Sequence, residues 1–284
     1  MPRLLSPARV AGGLLVLGSF APVTAHDLWL EPAGRDSLAL RYGHAHGDHA
    51  GATTISYAPT IVLAGLCLDA GGAVQQLPEA VESPYRFSCQ GVAAYVLTSS
   101  GAWTQTPYGT RNVPPAQAER AIRSWRSYES AKRLRRWSPA LARPLVATGG
   151  AAGGAASEFP TAGVTTELGA ASLELVPLAN PFRLEPGEKL RLRVVLAGAP
   201  LPDAIVVYDG KPRGRTNAEG EINIRLRHIG LQFLQASFTR AAGRAEVREV
   251  GEEEAGDTAD GAANEVVDAV IYATSLTFDL GAKE

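Results

Sequence analysis

Four of the five histidines in this 284-residue chain fall within its first 49 residues: His26, His44, His46 and His49, with only His228 elsewhere. Three of them share the octapeptide Tyr42-Gly43-His44-Ala45-His46-Gly47-Asp48-His49. On an extended strand, side chains two residues apart point to the same face, so His44 and His46 can address one ion. Gly47-Asp48 is a turn signal that can fold His49 back toward them. Neutral imidazole suits nickel, cobalt, copper and zinc. Asp27 and Asp48 stand beside these histidines and can orient a ring or join the coordination shell. A polar, exposed loop that merely contains histidines would look the same in sequence. His228, which follows Arg225 and Arg227, reads as an ordinary histidine or a distant ligand.

His26 adds a second chemistry. Residues 1–25 begin with Arg3 and Arg9, continue through an apolar run from Val10 to Phe20, and end Val23-Thr24-Ala25. A basic start, a short apolar stretch and small residues at the end are the parts of a secretory signal. The apolar run is well below the roughly 20 residues that span a bilayer. Cleavage after Ala25 makes His26 the first residue. Its α-amine and its ring could then chelate one metal, a nitrogen-rich arrangement that nickel and copper favour.

Other catalytic chemistries find no support. There is neither a G-x-S-x-G nucleophile elbow nor a phosphate-cradling glycine loop ending in Lys-Ser or Lys-Thr. Removing residues 1–25 takes away two arginines and no acid, leaving 25 basic against 29 acidic side chains in 259 residues. That balance argues against a nucleic-acid partner. No later segment could span a membrane after the signal is removed. Export also decides how the only two cysteines read. In an oxidising compartment Cys67 and Cys89 are expected to form a disulfide.

The elements that must position these groups are mostly strands. Residues 38–42, 60–69 and 91–98 carry strand signals. Ala116 to Trp137 holds no Gly or Pro, follows Pro114-Pro115, and spaces Ile122, Trp125, Tyr128 and Leu134 in a helix-like way. A basic helix over 115–137 is therefore expected, with its arginines forming a solvated face or a docking surface for an acidic partner or anionic lipid. The domain plan is a signal at 1–25, a β-rich metal-binding module at 26–145 and a Gly/Ala-rich connector at 146–172. An immunoglobulin-like β-sandwich follows at 173–284, where about seven short strands alternate with turn signals. The fold class is thus all-β, two sandwich modules with one helix in or after the first. Glu252, Glu253, Glu254, Asp257 and Asp260 mark a solvated loop, lacking the ligand spacing and central glycine of a calcium loop.

Several stretches together resemble the domain-of-unknown-function 4198 family of bacterial periplasmic proteins. They are Ala25-His26-Asp27-Leu28-Trp29-Leu30-Glu31-Pro32, Gly43-His44, Ser127-Tyr128-Glu129-Ser130-Ala131-Lys132, Leu173 to Pro181 with Pro186-Gly187, Thr216 to Gly220, and Tyr272 to Phe278. The resemblance implies a β-sandwich protein linked to nickel or cobalt handling; the second module also resembles sandwiches of the carboxypeptidase-regulatory or surface-protein type. The resulting expectation is a non-catalytic periplasmic protein. It would bind a divalent metal through His26, His44, His46 and His49 and supply nickel or cobalt to an inner-membrane transporter. Copper and zinc remain open as the metal. The alternatives are an envelope adhesion or spacer module, and a copper enzyme built on an N-terminal histidine.

Overall fold

A computed structural model describes residues 26–45, 53–113, 117–136, 172–242 and 267–281. Seventeen strands lie within them. The first nine are β1 (Asp27–Pro32), β2 (Ser37–His44), β3 (Thr53–Thr54), β4 (Val62–Leu68), β5 (Val74–Gln76), β6 (Arg86–Ser88), β7 (Ala93–Thr106), β8 (Gly109–Arg111) and β9 (Arg123–Leu134). The others are β10 (Leu173–Pro177), β11 (Lys189–Leu196), β12 (Ala199–Pro200), β13 (Ile205–Tyr208), β14 (Lys211–Arg215), β15 (Glu221–Arg225), β16 (Gly230–Ala241) and β17 (Ala269–Leu280). The protein is all-β, and no α-helix occurs among the described residues.

The strands form three sheets. The largest has nine strands in the order β14-β13-β16-β17-β9-β7-β4-β5, with β8 on β7. It draws strands from both halves of the chain, joined where β17 pairs in parallel with β9. The central strands of this large sheet are buried on both faces, and their successive residues feed opposite cores. Leu66 and Leu68 of β4 and Tyr95 and Leu97 of β7 pack with Leu175, Leu192, Val194 and Ile224 from the sheet of β10, β11, β12 and β15. Cys67, Ala94, Val96 and Ala131, one residue out of step, pack with Leu28, Leu30, Leu38, Leu40 and Phe87 from the sheet of β1, β2, β3 and β6. Three β layers result.

The expected helix over 115–137 is not formed. Residues 123–134 are β9, bonded to β7 on one edge and β17 on the other. The helix-like spacing of Trp125 and Tyr128 is two faces of a strand: Trp125, Glu129 and Ala131 point one way, Tyr128 and Leu134 the other. β-Branched and aromatic partners on both sides supply a full ladder, which tertiary context lets override local propensity. The basic residues of β9 are not a solvated face. Lys132 is buried with its ammonium 4.5 Å from the Tyr95 ring centroid, and buried Arg133 pairs with Asp279.

The expected disulfide forms between Cys67 and Cys89, whose Cα atoms are 5.6 Å apart. It ties β4 to the segment after β6, beneath the first sheet. Residues 1–25, His46, Asp48 and His49, nearly all of the 146–172 connector, and the acidic stretch 249–265 lie outside the described residues.

Candidate functional site

The site begins with strand register. In the antiparallel β1–β2 pair, Asp27 stands opposite Gly43 and Leu28 opposite Tyr42. The next step outward brings His26 opposite His44. Directly opposed residues on antiparallel strands sit about 5 Å apart at Cβ, so two rings placed there must meet. The ring centroids are 4.9 Å apart and tilted by 47°. The Tyr42 ring lies 5.3 Å from that of His26.

Gly43 makes this arrangement possible. Its φ is +149°, and a Cβ added there would lie 2.0 Å from the Thr53 carbonyl oxygen. Only glycine lets β3 close on β2 next to His44.

Asp27 anchors the pair to the large sheet. Its Oδ1 accepts from the Gln235 side-chain amide at 2.7 Å, and its Oδ2 accepts from the Ala45 backbone N–H at 2.9 Å. Both carboxylate oxygens are therefore engaged, and the start of β1 is held over β16.

The floor beneath mixes Ala and Ser with a few longer polar side chains. One row across the large sheet runs Glu129, Ala273, Ser237; the next runs Ala131, Ser275, Gln235, Val207. One row further, Trp29 meets Phe233 edge-to-face at 6.4 Å, and Thr277 donates to the Leu30 carbonyl at 2.8 Å. There β1 seats firmly. Over the Ala and Ser rows it cannot fill the space, and a cleft of about 230 Å³ remains, lined by His26, Asp27, Glu129, Gln235, Ser237 and Ser275 among others.

Glu129 is the unexpected member. The residue is half-buried, and enough protein surrounds its carboxyl that burial, reinforced by the negative charge of Asp27, pushes its pKa up to about 7. The negative charge of Glu129 in turn adds to the burial that raises the Tyr42 phenol. Ser275 is 2% exposed, and its hydroxyl has no hydrogen-bond partner among the described residues. Nothing in the spacing of the histidines pointed to Glu129, Gln235 or Ser275. Glu129 and Ser275 do lie within the Ser127–Lys132 and Tyr272–Phe278 stretches already singled out by resemblance.

Of the expected ligands, the structure brings together His26 and His44, with Asp27 beside them. His228 is elsewhere: its Nε2 lies 3.0 Å from Asp209 Oδ2, and its ring stacks on Tyr208. Among the described residues, no group of three or more His, Cys, Asp or Glu side chains is arranged to hold a metal. The histidine pair therefore offers two nitrogens, and any further donor must come from another source.

A family model described as Domain of unknown function (DUF4198) matches residues 23–240. No curated protein and no solved structure matches the chain.

Proposed function

The chain belongs to this family of unknown function, and from its own geometry we propose that it is a divalent-metal-binding protein. It would take nickel or cobalt in the periplasm and supply it to an inner-membrane transporter. The observation that carries this reading is the His26–His44 pair, with ring centroids 4.9 Å apart at the mouth of a polar cleft. Two imidazoles on opposed strands are preset donors for a borderline metal, and Asp27 stiffens the strand end that bears one of them.

Two nitrogens alone make a weak site. If the exported chain starts at His26, its α-amine adds a third nitrogen on the same residue. His46 and His49 are further candidates in sequence. A metal held so loosely by protein keeps open positions, which suits a carrier that must release its cargo.

Calorimetric titration of the processed protein with nickel and cobalt tests this. His44→Ala should weaken binding by about 100-fold with an unchanged circular dichroism spectrum. Adding one residue before His26 should keep both rings and cost less. Equal nickel affinity in the parent and the His44→Ala variant would sink the metal reading.

A further inference from the structure

The cleft below the histidines carries a second set of groups that a metal on His26 and His44 does not use. Asp27 and Glu129 both line it, and none of the described residues lining it is Lys or Arg. Two carboxylates that feel each other's charge, with no Lys or Arg side chain in the wall between them, form an electronegative pocket. Glu129 has no side-chain hydrogen bond among the described residues. Ser275, two residues along the same face and one strand over, has a buried hydroxyl with no partner among the described residues. Buried polar groups are ordinarily paired, so an unpartnered hydroxyl in a cleft wall is a place for a ligand's polar group.

The two carboxylates beside that hydroxyl favour a ligand that is positive and able to donate several hydrogen bonds. A bare metal fits poorly, because the acidic and histidine side chains there do not converge on one point. An ammonium group fits well, having three donors spread over its own radius. At about 230 Å³ the cleft lies below the usual range for drug-sized ligands, so the molecule must be small.

We propose that the cleft seats the ammonium group of a small primary amine, with Glu129 as its counter-ion and Ser275 as the adjacent hydrogen-bond acceptor. His26 lines the same cleft, but the ammonium contacts use neither imidazole of the metal pair. Asp27 contributes charge; its oxygens are already held by Gln235 and Ala45.

The test uses the full processed protein at pH 8 with EDTA present, titrated with n-butylamine and, as an uncharged match, 1-butanol. Butylamine should bind at least ten times more tightly. Glu129→Gln should abolish that preference, and Ser275→Ala should weaken butylamine several-fold, with thermal melts showing that both variants fold. His44→Ala should lose nickel but keep butylamine, so the two readings can fail separately. Equal binding of amine and alcohol, or a preference that survives Glu129→Gln, overturns the proposal.

Discussion

Asp27 accepts a hydrogen bond from Gln235 at 2.7 Å, linking the first strand to a residue 208 positions later in sequence. Replacing Gln235 with Leu leaves one carboxylate oxygen of Asp27 without its partner at the edge of the cleft. Loss of a hydrogen bond to a charged group should cost about 1–3 kcal/mol in urea unfolding. Because the same contact steadies His26, nickel affinity should fall about tenfold. A variant with parental stability and parental affinity would show the contact to be incidental.

Glu129 gives a pH dependence of known sign. Its native pKa is pushed up to about 7, above the ordinary glutamate value. Between those two values the folded chain holds a proton that the unfolded chain has lost. The carboxyl therefore costs stability as pH rises through that window, and the cost is complete above about 7. Glu129→Gln should be more stable than the parent at pH 8, by on the order of 2 kcal/mol. The advantage should fade as pH falls to about 4.5. Unfolding curves at several pH values check this; a constant difference would place the effect in packing.

The disulfide should matter to stability and little to the cleft. Cys67 and Cys89 are 22 residues apart and buried in the core beneath the first sheet. Replacing both with Ala should cost about 3 kcal/mol on the chain-entropy account. Nickel titration of the folded variant should match the parent, since neither cysteine lines the cleft.

Gly43→Ala tests the geometry that presents His44. The new methyl would lie 2.0 Å from the Thr53 carbonyl oxygen, so β3 must move. A loss of about 2 kcal/mol is expected, together with weaker nickel binding, since the residue next to His44 shifts. Unchanged binding would mean that β3 does not position the ring.

Much of this was legible in the sequence. Leu38 and Leu40 announce one strand by alternation, and the histidine cluster follows directly on its end; the strand of Leu28 and Leu30 was not read, its stretch entering only through the family resemblance. Register, however, cannot be read from one strand. That His26 faces His44 depends on the β1–β2 turn, and that Asp27 sits over Gln235 depends on a strand from the other half of the chain. Residues 123–134 misled for a related reason. A strand buried on both faces shows no clean alternation, and its charged members are compensated by partners such as Asp279, far away in sequence. Glu129 was hidden inside that same misread segment.

The parallel pairing of β17 with β9 sets an order on folding. Trp125 and Ala269, partners in that ladder, are separated by more than half the chain, so the contact is slow to close. β17 lies between β16 and β9 in the large sheet. Until residues 269–280 arrive, both of those strands present open edges, the kind that recruits other chains. β17, the last strand among the described residues, is thus the one that makes the two halves a single sheet, and shielding those edges until it is in place is a demand this topology places on the cell.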